Sequence, residues 1–199
     1  MGKIIHGNRN FGYAEINVVG ETASFGVPVM LPGIRSTSME VEQSNKKIYA
    51  DDIVYAILTG AKVRNAEMSV LHIPSAYAKL ALGMKEQANG MMVDTGTMKP
   101  HCIFFETTEQ DTDAGTETRT LHYLYEVVAK EPSKESSTDE DETDAVELKI
   151  PFEAKESIIA KDSDNKPVQY GYIVRTATNA TLYDTFKQSV ILPTDIVGA

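Results

Sequence analysis

Tryptophan is missing from this chain of 199 residues, and cysteine occurs once, at Cys102. A lone cysteine excludes a disulfide within the chain and any paired-cysteine metal site. Without Trp, and with Phe and Tyr not interleaved with basic residues, the chain lacks a platform for stacking bases. Positive charge is also scarce: 19 Lys and Arg stand against 29 Asp and Glu, a formal net charge of -10. A surface that grips phosphates needs clustered Lys and Arg, so this chain repels DNA rather than holding it. No apolar run approaches the roughly 18 residues of a membrane span. Met1–Asn10 (MGKIIHGNRN) has no apolar core of a signal peptide, which leads us to expect synthesis and folding in a cytoplasm.

Catalytic signatures are absent as well. There is no Gly-rich phosphate loop, no HExxH and no GxSxG. Asp139–Asp144 is dense in carboxylates but lacks the glycine-bearing pattern of a calcium loop. His6, His72, His101 and His122 are scattered, and His101 and Cys102, as strand neighbours, point to opposite faces. Asp51 and Asp52 are adjacent, a poor arrangement for an acid–base couple. The expectation is no enzyme, no cofactor and no metal.

What remains is a folded, β-rich chain. Apolar residues make up 42%, enough for a core, and the length suits one domain, 1–199. Period-two alternation dominates. It predicts strands at Tyr13–Val19, at Arg35–Gln43, over Ala66, Met68 and Val70, at His101–Thr107, at Arg119–Val128, at Ala145–Ala154 and at Tyr170–Thr176. Val27–Leu31, flanked by prolines, fits an edge. Ile53–Leu58 is a nearly unbroken apolar run, which predicts a strand buried on both sides. Pro74–Leu82 reads as a short helix ended by Gly83, and Thr181–Val190 either as a final helix capped near Asn179 or Thr181 or, given its β-branched residues, as a strand. Gly83–Lys99 is a loop rich in methionine, offering either an adaptable contact or core filling. Glu131–Asp144 (EPSKESSTDEDETD) carries seven acidic residues and no large apolar side chain, so a solvated, mobile loop is expected there. The class is mainly β, or α+β, with one or two short helices.

Two segments carry a resemblance. Gly26, Pro28, Val29, Leu31, Pro32 and Gly33 form a G-x-P-V-x-L-P-G stretch. Tyr49, Ala50, Asp51, Asp52, Val54 and Tyr55 form a Y-A-D-D-x-V-Y stretch after it. Further pieces follow in order: Gly7, Asn10, Tyr13, Ala14 and Ile16; Ile73, Pro74 and Tyr77; Lys99–Glu106; Pro132–Ser133; and Thr178, Ala180, Thr181 and Phe186. Together they resemble the major tail proteins of long, non-contractile phage tails, the phi13 type. The sequence departs from that family in the acidity of Glu131–Asp144 and in Arg64–Asn65, where the family suggests a Gly/Asp-rich turn.

The resemblance implies an antiparallel β-sandwich or barrel-like fold with a flanking helix. It implies a structural virion protein, made in the bacterial host cytoplasm, whose hexameric rings stack into a tail tube that conducts DNA. Implied partners are other copies of itself, a tape measure protein, a tail terminator and baseplate or distal tail proteins. Duplex DNA would pass without specific binding, and no membrane is involved. On this reading Glu40, Glu42, Glu67, Glu147 and Glu153 are candidate lumen-facing acids, although polar-out alternation is ordinary for any antiparallel sheet. Tyr49, Asp51, Asp52 and Tyr55 are candidates for contact between subunits, or simply a turn that shapes its own domain. The tail at about 181–199 is a candidate arm between copies. The alternative is a β-sandwich binding module, an adhesin or carbohydrate-binding domain, for which an exposed aromatic face would be expected.

Overall fold

The computed structural model describes residues 3–50, 52–134 and 147–195. In chain order the elements are β1 (Lys3–Val19), β2 (Thr22–Phe25), β3 (Val29–Met30), β4 (Ile34–Ala50), β5 (Ile53–Val70), α1 (Ser75–Ala81), β6 (Met84–Glu86) and β7 (Met92–Asp94). Then come β8 (His101–Asp111), β9 (Glu117–Ala129), β10 (Ser133–Lys134), β11 (Leu148–Ala154), β12 (Tyr170–Val174) and α2 (Ala180–Tyr183), which runs into a 3-10 turn at Asp184–Lys187. The fold is mainly antiparallel β with two short helices, as the alternation predicts.

One sheet dominates, in the order β2-β1-β8-β9-β11-β5-β4, with β3 beside β1, β12 beside β9 and β10 beside β11. It curls until its ends approach, and the Asn8 amide of β1 donates to Thr37 Oγ1 of β4 at 2.9 Å. No backbone ladder joins β1 to β4 among the described residues, so the barrel does not close.

The two faces of the central strands carry separate cores. Inside the curl lie Tyr13, Ile103, Leu124, Ile150, Phe152, Met68 and Val70, roofed by Tyr77, Leu80 and Ala81 of α1. That helix forms where Pro74 and the alanines favour it. It stops at Gly83, whose φ of 67° suits a residue without a side chain. On the opposite face Ala14, Cys102, Phe104, Leu121, Tyr123 and Tyr125 are covered by Tyr183, Phe186, Val190 and Ile191. His101 and Cys102 do point to opposite faces: His101 accepts from, or donates to, Tyr77 Oη at 3.1 Å, while Cys102 sits in the second core.

Several strands outrun the sequence pattern. β1 begins ten residues before Tyr13 because its polar half, HGNRN, follows no alternation. Its pairing with β8 shifts register between His6 and Asn8 and between Arg9 and Gly12, and Asn10 adopts a φ of 48°. Such bulges swap the faces of successive side chains and erase the period. Arg64 and Asn65 form no turn. They lie inside β5, which joins the two strands expected at Ile53–Leu58 and Ala66–Val70 into one. The C-terminal helix is shorter than expected, one α turn followed by a 3-10 turn. The methionine-rich loop contains the small β6–β7 hairpin.

Candidate assembly surfaces

β4 and β5 form one long hairpin, and its two halves differ. Near the base, β11 pairs with β5 from Arg64 to Val70, and β4 pairs from Ile34 to Val41 on the other side. Met39, Ala66 and Met68 face the inner core there. Among the described residues β4 is the only strand that pairs with β5 beyond Val63, and past Lys62, whose carbonyl accepts from the Gln169 amide at 3.1 Å, the hairpin leaves the body as a two-stranded ribbon.

The ribbon, which we call the arm, carries exposed apolar side chains on both faces, beside Lys46 and Lys47. By pairing, Leu58 and Ala56 share one face with Lys46 and Ile48, and Ile57 shares the other with Lys47; a register shift between Ile48 and Tyr49 then puts Val54 and Tyr49 on the Ile57 side. Tyr55 is 75% exposed, Ile53 65%, Tyr49 63% and Ile57 56%. The expectation that Ile53–Leu58 is buried on both sides therefore fails within this chain. The run was read correctly as apolar, but among the described residues no element of the same chain covers it.

The arm ends in a tight turn in which Ala50 pairs with Ile53, and Asp52 adopts the left-handed φ of 62° that Asp tolerates. Tyr49, Asp52 and Tyr55 cluster at this tip. Asp51 lies outside the described residues. Nearer the base, the register shifts between Gln43 and Asn45, where Gly60 and Ala61 of β5 oppose the single residue Ser44 of β4.

Four of the five candidate acids share one face of the β4–β5–β11 ladder. Ser38 pairs with Glu67, Glu40 with Asn65 and Glu42 with Val63, while Glu67 and Asn65 pair onward with Pro151 and Glu153. Paired residues of an antiparallel ladder share a face, so Glu40, Glu42, Glu67 and Glu153 project opposite Met39, Met68 and Phe152. Glu147, just before β11, accepts from Ser69 Oγ and pairs with Arg35. Glu153 pairs with Lys130 at 3.0 Å, and Glu42 accepts from Asn65 at 3.2 Å. Glu40 and Glu67 are exposed and make no ion pair among the described residues. Farther along the sheet this outer side is covered by the C-terminal segment, so the acids occupy its bare part.

Of the C-terminal residues 181–199, Tyr183, Phe186, Val190 and Ile191 pack on their own sheet. Tyr125 Oη donates to Ile191 O at 3.0 Å and Tyr183 Oη to the Glu106 carboxylate at 3.2 Å. Residues 196–199 lie outside the described residues, as do residues 135–146 of the acidic loop. Of the methionines, Met84 packs on the inner core, while Met91 is 59% exposed.

Two open strand edges complete the picture. β4 pairs only with β5 among the described residues, so its outer edge is bare from Ser38 to the tip. At the other end of the order, residues 3–10 of β1 pair only with β8. Long unpaired edges are templates for another strand. Among the described residues no group of three His, Cys, Asp or Glu could hold a metal ion, and no helix is long and apolar enough to cross a membrane. The buried ionisable groups are structural. Burial holds His101 down at about 4 and pushes the Cys102 thiol and the Tyr123 phenol up.

A family model described as phage tail tube protein matches residues 2–199. No curated relative matches the chain. Among solved structures, the sheath–tube complex of an extracellular contractile injection system in its extended state aligns with a TM-score of 0.44 and 13% identity, over 83% of this chain and 89% of that one. The tube-terminating cap of the anti-feeding prophage aligns with a TM-score of 0.42 and 11% identity, over the same shares. The family match carries the argument; the two distant likenesses do not.

Proposed function

The chain belongs to the phage tail tube protein family, whose members are structural and not enzymatic, and from that premise we propose how its surfaces build the tube. It is a structural component of the phage tail, hence of the virion. In our reading the whole chain, 1–199, acts as one tube domain. Six copies close into a ring, rings stack, and the bare acidic face lines the lumen through which DNA reaches the host. Synthesis in the host cytoplasm, and joining to a tape measure protein, a terminator and distal tail proteins, belong to the same proposal.

The observation that carries it is the arm. A lone two-stranded ribbon is marginal in water, and this one exposes Ile53, Tyr55, Ile57 and Leu58 besides. Covering each such side chain stabilises by about 1.5–3 kcal/mol. The arm thus gains most when another copy covers it. The open edges of β4 and β1 differ from each other, so pairing them is heterologous and can close a ring. The acidic face supports the conduit role because carboxylates repel phosphates and let a duplex slide. The binding-module alternative is not carried forward, since the family is structural.

Electron microscopy of the concentrated protein, with its mass in solution measured in parallel, tests the reading. Rings or tubes with a hole wide enough for duplex DNA are expected. A chain that stays monomeric at every concentration, even with tail-nucleating proteins added, would overturn it.

A further inference from the structure

Where β1 bulges toward the loop between β3 and β4, a cleft of about 340 Å³ opens at the surface. Phe11, Met30, Leu31 and Ile34 give it apolar walls, and the Asn8 and Asn10 amides line it as well. Two cations, Arg9 and Lys187, stand at it. Both are exposed, and neither makes an ion pair with a carboxylate among the described residues. In a chain with a formal charge of -10, two cations without an ion-pair partner thus stand together at one cleft.

We propose that this cleft receives the tip of the β4–β5 arm of a second copy, with Asp52 meeting Arg9 and Lys187 and the neighbouring Tyr49, Ile53 or Tyr55 packing on the apolar walls. The inference rests on the tube reading and names the contact that reading leaves open. Three observations favour this occupant. The tip and the cleft are complementary, a carboxylate flanked by exposed apolar side chains facing cations beside apolar walls. The cleft has room for side chains, not only for water, whose share of volume is about 30 Å³.

The third observation is geometric. Ile34, which lines the cleft, begins the same strand that Ala50 ends. Extended strand rises about 3.3 Å per residue, so a chain's own tip lies about 50 Å from its own cleft. The contact must therefore join two chains. Because tip and cleft are different surfaces, each copy offers one of each, and the contact propagates from copy to copy. The segment Phe25–Gly33 and the segment Lys47–Val54, distant on one molecule, become the two halves of a single joint.

Zero-length carbodiimide coupling of the native chain, assembled into rings or tubes, reads this joint directly. It links a carboxylate to a lysine only when they touch. The expected product joins the Asp52 peptide to the Lys187 peptide, in assembled material and not in monomer. Tubes whose cross-links place Asp52 elsewhere would overturn the proposal and leave the tube reading intact. A chain that never assembles would sink both. A second arm uses the double variant Arg9→Glu with Lys187→Glu: loss of assembly with an unchanged monomer melting profile is expected, and Lys187→Arg should assemble like the native chain. Assembly of the double variant at the native concentration would also overturn it.

Discussion

The base of the β4–β5 hairpin and its arm are the same two strands, yet they solve opposite problems. At the base, from Ile34 to Val41 and from Arg64 to Val70, one face meets Phe152 and Ile150 while the other carries Glu40 and Glu67. In the arm both faces carry exposed apolar side chains, with Lys46 on one and Lys47 on the other. The base is finished by its own chain. The arm leaves apolar surface that no described part of its own chain removes from water. A single ribbon thus divides folding from assembly along its length, and substitutions should separate the two.

The sharpest separation comes from paired variants. Phe152→Ala removes a fully buried ring at the base and should cost about 3–5 kcal/mol, readable as a lowered denaturation midpoint of the monomer. Tyr55→Ser with Ile57→Ser in the arm should shift that midpoint by less than about 0.5 kcal/mol per site, yet abolish rings and tubes in the microscope. If the arm variant melts as badly as Phe152→Ala, the arm is not an independent surface and the comparison fails.

A second separation uses pH, because the arm has no histidine and the body holds His101 buried. Its Nδ1 faces Lys99 O at 3.0 Å and its Nε2 faces Tyr77 Oη, which suits the neutral ring. Burial lowers its pKa from 6.5 to about 4. Below about 6.5 the unfolded chain binds a proton that the folded chain refuses. Stability is therefore complete above 6.5 and falls as pH drops toward 4, by about 3 kcal/mol in all. Burial lowers the His122 pKa too, adding to the same slope. Denaturant midpoints measured between pH 7 and 5 should show the loss, and His101→Gln should flatten it.

How much of this was legible without coordinates follows from where period two survives. Met39 and Val41 against Glu40 and Glu42, or Ile150 and Phe152 against Lys149 and Glu153, announce strands with one covered face, and those strands are present. Pro74 and Gly83 bracket α1 for local reasons that need no tertiary context. The first half of β1 was illegible because bulges beside Asn8 and Gly12 break the period. Ile53–Leu58 was legible as apolar strand but not as an exposed arm, because an apolar run does not encode whether its own chain covers it. The acids could be assigned to strand faces by parity. That four of them share one ladder depended on β11 pairing with β5, a contact about 80 residues away that no local pattern encodes.

The arm's own shape offers a smaller effect. A Cβ added at Gly60 would fall 2.4 Å from Ser44 Oγ and 3.0 Å from Ser44 O, so the bulge that sets the arm's register leaves no room there. Gly60→Ala should cost on the order of 1 kcal/mol, expressed as faster amide exchange in the arm and not in β8 or β9. Adding Ser44→Ala removes the closest atom and should recover part of the loss. Uniform destabilisation across both regions would mean that arm and body are one cooperative unit.

The smallest expected change in stability belongs to the acidic face, and there the functional stake is largest. Glu40 and Glu67 are exposed and have no ion pair among the described residues, so Glu40→Lys with Glu67→Lys should leave the monomer within about 0.5 kcal/mol of native. On an outward surface the swap is inconsequential. In a lumen it is repeated in every copy of every ring, and the summed field changes from one that repels phosphate to one that holds it. Assembled tubes of the variant should retain duplex DNA in a salt-dependent way, and particles carrying them should eject it poorly. Normal ejection with normal tubes would place the acids outside the conduit and assign the lumen wall to a different part of the sheet.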